Sequence, residues 1–330
     1  MIDKKRLQTF DLVKFIAIFC VLWGHIIQFI CVGTCYENPF YQKIYAFHMP
    51  LFMAVVGFFA YRVLSASFID LIKKKITQLI LPGLAYSVII CIIMKYTNWG
   101  GVFDILLFSL WFLKSAFLSL IIFYICAINT RLRPYFIVIS LIVSQVVYFY
   151  QFNLMYPCFL FGVALHGLWG RIKKRAVALT ALSGICFVFM LIPWNVDFWI
   201  IPSGGVYPLS SVKQFTAYAG MFYYRLVIGL TGSLFFIMLC ESICSRLHDN
   251  KIIDSLSSIG RETLGIYLIQ TIIIEILLWR WFKYDGSNTM IFGFVIAPIA
   301  SVIVLALCLI GIRILRMSKY SALLFLGEKR

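Results

Sequence analysis

Long runs of apolar residues recur along this chain, and they determine its fold class. A helix that crosses a membrane needs about 20 mostly apolar residues, with a range of about 17–25. Ten such runs are found, at 10–32, 44–64, 76–95, 109–128, 134–150, 153–170, 176–193, 221–243, 262–282 and 290–313. Charged residues make up only 13% of the chain, against about 25% in soluble proteins. The sequence predicts one all-α polytopic transmembrane bundle of about ten helices, in a single domain spanning residues 1–330.

The distribution of positive charge predicts how this bundle is oriented. The net charge is +16, and many of the basic residues lie in short clusters between apolar runs, at 4–6, 73–75 and 171–175. This pattern is typical of cytoplasmic loops and not of a nucleic-acid-binding face, so no nucleic-acid partner is expected. Threading the ten runs from a cytoplasmic N terminus places 22 of the 29 Lys and Arg residues inside and 7 outside. Both termini are therefore predicted to be cytoplasmic.

Two features of the predicted outer loops are open to more than one interpretation. Most of the ten cysteines lie in apolar runs, where cysteine behaves as a small hydrophobe. Cys31 and Cys35 flank the first outer loop and could pair in an oxidising compartment.

The longest non-apolar stretch, 194–220, is aromatic and rich in turn residues. It is either a lid or acceptor platform over an outer site, or a plain interfacial loop.

His25 and His48, two of the four histidines, lie inside strongly apolar segments in the first part of the chain. Ionisable residues at membrane depth are costly, about 2.5–3.5 kcal/mol when charged, and usually face the bundle interior. Eleven residues make about three helical turns, so Lys14 lies below His25 on one face, and Asp11 is placed to pair with Lys14. The short loop 33–43 makes the first two helices antiparallel neighbours. We therefore expect both imidazoles to meet in one cavity in the outer half; the alternative is that each only bonds across helices.

Five sequence motifs follow one another along the chain: RLQTFDLVKFIAIFCVLWGH, IYAFHMPLFMAVVGFF, KKKITQLILP, SLWFLKSAF and IGRETLGIYLIQ. As an ordered set they resemble the acyltransferase 3 family of membrane acyltransferases, and in particular its smaller, fucose 4-O-acetylase-like members. The resemblance implies transfer of an acyl group, usually acetyl from cytoplasmic acetyl-CoA, to a carbohydrate hydroxyl. The acceptor is commonly an envelope or exported glycan, such as an exopolysaccharide or lipopolysaccharide, and the enzyme is a multi-pass protein in the lipid of the bacterial inner membrane.

The resemblance also assigns residues. The family's first-helix histidine matches His25, its basic residue eleven positions earlier matches Lys14, and the histidine of the FHMP motif matches His48. The basic cluster before the third helix matches the three lysines at 73–75, which suit the phosphates of CoA; a topology signal is the alternative for each. The predicted catalytic residues are His25, His48, Asp11 and Lys14, and the predicted donor-binding residues are Lys73, Lys74, Lys75 and Arg261. We predict no metal site, because no zinc-ligand spacing is present.

Two positions depart from the family motifs. Gln78 stands where many members have a second arginine before the proline, which weakens the donor-site assignment. Gln270 stands where the motif IGRETLGIYLIQ often ends in histidine in other members, so no catalytic role is assigned to it.

The chemistry of histidine agrees with the resemblance, since its ordinary pKa lies near neutral pH. His25 can deprotonate the acceptor hydroxyl or carry the acyl group itself, and the sequence does not separate these routes. The rival interpretation is a secondary transporter or flippase in which His25, Asp11 and Glu275 relay protons. That class predicts pseudo-symmetric halves with interrupted helices in matching positions, which the sequence does not show. The oligomeric state stays open.

Overall fold

The computed structural model describes residues 4–32, 35–95, 99–147, 149–195, 198, 212–247, 250–285 and 289–329, and these are almost entirely helical. The α-helices are α1 (Lys4–Ile30), α2 (Pro39–Phe58), α3 (Phe68–Lys75), α4 (Leu81–Met94), α5 (Trp99–Phe108), α6 (Trp111–Ala127), α7 (Arg133–Ser144), α8 (Phe152–Ile172), α9 (Ala176–Leu191), α10 (Val212–Arg246), α11 (Lys251–Arg261), α12 (Thr263–Gln270), α13 (Trp279–Trp281), α14 (Thr289–Ile291), α15 (Ala297–Leu315) and α16 (Lys319–Leu326). Three π-helical segments, Ile76–Ile80, Thr271–Leu278 and Phe292–Ile296, continue neighbouring helices. Two-residue strands, β1 (Cys31–Val32) and β2 (Tyr284–Asp285), pair in parallel.

Seven helical stretches in the described part of the chain are long and apolar enough to cross a membrane, or up to eight if the bent pair α5 and α6 is one span. The predicted count of ten is not confirmed. The run 134–150 corresponds to α7, which has only 12 residues. The runs 153–170 and 176–193 fall in one stretch of 43 residues, Phe149–Leu191. At 1.5 Å per residue this stretch is about twice as long as a membrane core is thick. Whether it counts as one span or two therefore depends on the 3-10 turn at Lys173–Arg175.

The helix that carries the basic cluster begins earlier than the sequence predicts. The hydroxyl of Ser67 caps α3 by accepting a hydrogen bond from the backbone N–H of Asp70. Helical structure then continues through a π-helical segment into α4, where Pro82 lies in the first turn. The three lysines at 73–75 therefore lie inside the helix and not in a loop before it, because Ser67 supplies the N-cap that the apolar pattern does not reveal.

Helix α2 lies at the centre of the bundle and packs against α1, α8 and α10. Its contact with α8 is made by glycines: a Cβ at Gly57 would lie 1.8 Å from the carbonyl oxygen of Phe159. A Cβ at Gly162 would lie 1.9 Å from the carbonyl oxygen of Ala54. Only glycine permits this backbone approach, which places the inner face of α2, with His48, deep in the protein.

The two ends of the bundle are distinguished by the chain termini. At the end where α1 begins, here called the terminal end, α11 packs on α1 and α16 packs on α4. Arg316 joins these parts, since its guanidinium bonds the carboxylates of Glu262 at 2.9 Å and Glu328 at 3.0 Å. Both carboxylates raise the pKa of Arg316 above its usual value. The opposite end, where α1 ends and α2 begins, is called the loop end.

Candidate functional site

His25 on α1 and His48 on α2 line one cavity of about 340 Å³, called here the histidine cavity. The structure thus brings together the two histidines that the sequence places at matched depth. The remaining lining residues come from the same two helices, from the segments 109–111, 151–155 and 267–275, and from α10: Gln28, Phe29, Tyr45, Met49, Pro50, Ser109, Leu110, Trp111, Gln151, Leu154, Met155, Arg225, Tyr267, Thr271 and Glu275.

The imidazole of His25 is held through its Nδ1 atom. Nδ1 lies 3.0 Å from Oε1 of Gln270 and 3.3 Å from Oε1 of Glu275. The Gln270 amide nitrogen donates to the hydroxyl of Thr271 and to the carbonyl of Tyr267, so its oxygen is the atom that faces His25. Because both neighbours of Nδ1 are acceptors, we assign the ring proton to Nδ1. Nε2 is then the basic nitrogen of neutral His25.

A π-helical segment makes this arrangement possible. Gln270 and Glu275 are five residues apart, which in an α-helix separates two side chains by about 140° at about 100° per residue. The segment Thr271–Leu278 is π-helical, with i→i+5 hydrogen bonds that bring residues five apart to the same side. Both side chains therefore reach the same histidine.

His48 is fixed by the main chain of its own helix. Its Nδ1 lies 2.8 Å from the carbonyl oxygen of Ile44, and the residue is only 2% exposed. A carbonyl can only accept, so Nδ1 carries the proton and Nε2 is again the basic nitrogen. The ring of Tyr45 packs on the edge of the imidazole, and its hydroxyl donates to Gln28 at 2.6 Å.

The wall of the histidine cavity at the loop end contains two turns with left-handed backbone conformations. Leu110, between α5 and α6, has a φ of 49°, and Tyr150 and Gln151, before α8, have φ values of 55° and 52°. Left-handed conformations in residues other than glycine are uncommon and cluster at functional sites. Gln151 accepts a hydrogen bond of 3.2 Å from Nη2 of Arg225, which is 9% exposed.

The sequence does not predict a site role for Gln151, Arg225 or Gln270, and it predicts one for Glu275 only if the protein is a transporter. The criterion that singles out the histidines, a polar or ionisable residue inside an apolar run, also applies to Arg225 and Glu275. It does not apply to Gln151, which a left-handed turn brings to the cavity. Gln270 is assigned no role because it differs from the family's histidine, but its amide bonds His25 directly.

Two further cavities continue from the histidine cavity toward the terminal end. The second, of about 220 Å³, has almost entirely apolar walls and shares Met49 and Tyr267 with the histidine cavity. The third, of about 400 Å³, is called here the basic cavity, and it shares Lys14 and Lys75 with the second. The basic cavity adds three further polar residues: Arg62, Lys74 and Gln78. The three cavities therefore form a series from the histidines to a group of cations.

The other predicted site residues lie near the basic cavity without lining any of the three cavities. Asp11 lies 2.7 Å from Nζ of Lys14 and 3.6 Å from Nη1 of Arg261, so it pairs with both. A Cβ at Gly260 would lie 1.8 Å from the carbonyl oxygen of Asp11, so this glycine brings Arg261 to α1. The Arg261 side chain is 59% exposed, and Lys73 is exposed as well. Of the predicted donor residues, only Lys74 and Lys75 line the basic cavity.

Three remaining points concern metal ligands, the pair Cys31 and Cys35, and the stretch 194–220. Within the described residues, no group of three or more His, Cys, Asp or Glu side chains could hold a metal ion. Cys31 and Cys35 are free thiols in the structure. Most of the stretch 194–220 lies outside the described residues, so its proposed role as a lid or platform stays a prediction.

Comparison with known proteins gives a family and two relatives. The family model described as an acyltransferase domain matches residues 7–313. The chain is 37% identical over 86 residues to nodulation protein NolL of Sinorhizobium fredii (strain NBRC 101917 / NGR234), covering 25% of this chain and 24% of that protein. It is 31% identical over 147 residues to nodulation protein NolL of Mesorhizobium japonicum (strain LMG 29417 / CECT 9101 / MAFF 303099), covering 41% and 39%. These matches thus span less than half of each relative. No solved structure matches the chain.

Proposed function

Because the chain belongs to the acyltransferase 3 family, we propose that it is a membrane O-acetyltransferase that uses acetyl-CoA. In this proposal, acetyl-CoA binds from the cytoplasm at the terminal end of the bundle. The acetyl group is transferred to a hydroxyl of a carbohydrate that reaches the histidine cavity from the loop end. The protein resides in the bacterial inner membrane, and the acceptor belongs to an envelope or exported glycan.

The observation that carries the proposal is the series of three cavities. A thioester donor with a phosphorylated head needs cations at one end, a passage for its thin pantetheine arm, and a base where the acyl group arrives. The basic cavity supplies Lys14, Lys74, Lys75 and Arg62, and the apolar cavity lies between it and the histidines. A reaction that joins substrates from two sides of a membrane requires this order.

The geometry around His25 supports its role as a general base. Nε2 takes the proton of the acceptor hydroxyl while that oxygen attacks the thioester carbonyl, which gives a tetrahedral intermediate. The intermediate collapses by breaking the carbon–sulfur bond, and the imidazolium returns its proton to the CoA thiolate. Gln270 and Glu275 hold Nδ1, and an ionised Glu275 would stabilise the imidazolium that forms. His48 is proposed to orient the acceptor or His25.

The acceptor half of the cavity has the side chains that bind sugars. Tyr45 and Trp111 offer aromatic faces, and Gln28, Ser109 and Gln151 offer hydrogen-bonding groups. A hydroxyl-rich acceptor fits this lining better than an apolar one, because each buried polar group requires a partner.

Purified protein incubated with acetyl-CoA labelled in the acetyl group tests the proposal. Transfer of label to a glycan from the bacterial envelope, with equimolar release of CoA, is the expected result. Solute accumulation in proteoliposomes without CoA release would instead support the transporter. A second measurement separates the two histidine routes. Protein exposed to donor alone and denatured rapidly at neutral pH, where an acyl-imidazole survives, should carry no label if His25 is a base, whereas stoichiometric label would identify an acyl-histidine.

A further inference from the structure

Arg225 occupies a position in the histidine cavity that the proposed reaction does not use. It lies on α10 inside an apolar run, is 9% exposed, and lines the cavity together with Gln151. An arginine stays charged in proteins, and a charge within a membrane-spanning helix is costly enough to mark a functional position. Such a cation in the cavity wall is placed to contact a group of opposite charge on a substrate.

The depth of Arg225 places it on the acceptor side of the histidines. Helix α10 runs from the loop end to the terminal end, where Glu241 accepts a hydrogen bond from Thr9 near the start of α1. Gly229 packs against α2 beside Pro50 and the carbonyl of Ala46, at the level of His48. Arg225 precedes Gly229 by four residues, which is about 6 Å toward the loop end at 1.5 Å per residue.

Gln151 fixes the direction of the guanidinium. Its amide oxygen accepts from Nη2 of Arg225 at 3.2 Å, and both Gln151 and the preceding Tyr150 have left-handed backbones. Left-handed backbones in residues other than glycine are strained and persist only where the surrounding structure holds them. The turn that places this amide against Arg225 is therefore maintained by the surrounding structure, which gives the cavity a preorganised wall.

The charges in the cavity divide between its two sides. Glu275 lies 3.3 Å from Nδ1 of His25, so in its ionised form its negative charge faces that imidazole. An anionic substituent on an acceptor would be repelled there and attracted at the wall of Arg225 and Gln151. A planar guanidinium matches carboxylate and phosphate oxygens in geometry as well as in charge.

We propose that Arg225 and Gln151 form a subsite for a negatively charged group on the acceptor sugar, a carboxylate or a phosphate, close to the hydroxyl that is acylated. This inference rests on the proposed function, since it names the class of acceptor that the same cavity takes. It makes the acceptor an acidic sugar and not a neutral one.

Binding of three sugars to the purified protein in detergent tests the subsite without acetyl-CoA. The probes are methyl glucuronide, glucose 6-phosphate and neutral methyl glucoside, each titrated by calorimetry. We expect the wild-type protein to bind at least one anionic sugar about tenfold or more tightly than methyl glucoside, because hydrogen bonds to charged groups are the stronger ones. The tighter of the two anionic sugars identifies the carboxylate or the phosphate as the preferred group.

Substitutions test whether Arg225 and Gln151 cause the preference for an anionic sugar. Arg225→Gln should abolish the preference for the anionic sugar, and Gln151→Ala should reduce it. Arg280→Gln, which removes an exposed arginine on α13, should leave it unchanged. If Arg225→Gln does not fold, Arg225→Lys decides, because a lysine cannot bind an anion with two parallel bonds and should lose most of the preference.

Equal affinity of the wild-type protein for charged and neutral sugars, or no binding of any of the three, would overturn the subsite. A preference that survives in Arg225→Gln would overturn it as well. Failure of the proposed function is a separate result. It would appear as acetyl-CoA that is never cleaved, whether or not the protein binds the sugars.

Discussion

The two histidines of the cavity differ in the group that holds Nδ1, and this difference separates their roles. His25 faces a carboxylate and an amide oxygen, whereas His48 faces a main-chain carbonyl. A carboxylate stabilises an imidazolium far more than a neutral carbonyl does, because it carries a full negative charge. We therefore propose that His25 transfers the proton and that His48 orients the reactants.

Replacement of His25 by alanine should remove the base. We expect the rate of acetyl transfer to fall by roughly 10²–10⁴-fold, the usual contribution of a general base, while the protein still inserts and purifies. The measurement is label transfer to the acceptor at saturating acetyl-CoA. The matched control is His166→Ala, since this histidine bonds the carbonyl of Phe58 and lies outside the lining of the three cavities. Near-normal turnover in His25→Ala would show that the site is wrongly assigned.

Removing the charge of Glu275 should lower the rate of the reaction and leave substrate affinity unchanged. Glu275→Gln keeps the shape of the side chain but removes the charge that stabilises the imidazolium. A hydrogen bond to a charged group contributes about 1.5–3 kcal/mol, so kcat should fall about 10–100-fold. Steady-state kinetics for both substrates give the test: a change confined to KM would contradict this role.

At the scale of the elements, close helix packing and helix breaks shape the cavity. The glycines between α2 and α8 let the two backbones touch, and the break between α5 and α6 turns Ser109, Leu110 and Trp111 toward the site. Neither feature is part of an ordinary apolar helix. Each can be tested with a single substitution.

Gly162→Ala should destabilise the protein severely, since the added methyl group would overlap the carbonyl oxygen of Ala54. Overpacking typically costs about 1–3 kcal/mol and sometimes more, and here the opposing atom is backbone. We expect a lower Tm in detergent and a smaller yield of monodisperse protein. Gly167→Ala on the same helix is the control, because nothing lies within 4 Å of its added Cβ; equal losses in both variants would refute the packing argument.

Lys114 should stabilise the break between α5 and α6. Its Nζ donates to the carbonyls of Leu106, Leu107 and Ser109 at 2.8, 2.7 and 2.7 Å. Lys114→Met leaves these acceptors unsatisfied, at about 1–3 kcal/mol for a buried group, so Tm should fall by several degrees. Thermal unfolding of Lys95→Met, which removes an exposed lysine at the end of α4, should match the wild type.

At the scale of the whole molecule, three cavities with shared lining residues follow one another through the bundle, and we propose that they form the substrate path. Lys75 lines both the apolar cavity and the basic cavity, whereas its neighbour Lys73 is exposed and lines neither. We therefore predict that Lys75 binds the donor and that Lys73 contributes only to membrane topology.

Lys75→Met should raise the KM for acetyl-CoA about tenfold, the effect of losing about 1.4 kcal/mol of binding free energy, and leave the acceptor KM unchanged. Lys73→Met should change neither constant, although both variants remove one positive charge from the same helix. The comparison needs only initial rates over a range of donor concentrations. Identical behaviour of the two variants would reduce the cluster to a topology signal.

The sequence by itself determined the class of the fold and predicted the two histidines around which the candidate site is built. Apolar runs require helices in a membrane, because each span must satisfy its own backbone hydrogen bonds. The periodicity of α1 places Lys14 below His25, and the order of the motifs predicts the acyltransferase family to which the chain belongs.

Tertiary structure alone decided which side chains complete the site. Gln270 and Glu275 reach His25 through a π-helical segment, and Gln151 reaches Arg225 through a left-handed turn. The sequence does not distinguish Lys73 from Lys75, since both belong to one basic cluster, but in the structure Lys73 is exposed and Lys75 lines the basic cavity. A hydrophobicity pattern records which residues avoid water, but local backbone geometry and contacts between distant segments decide where each polar group points.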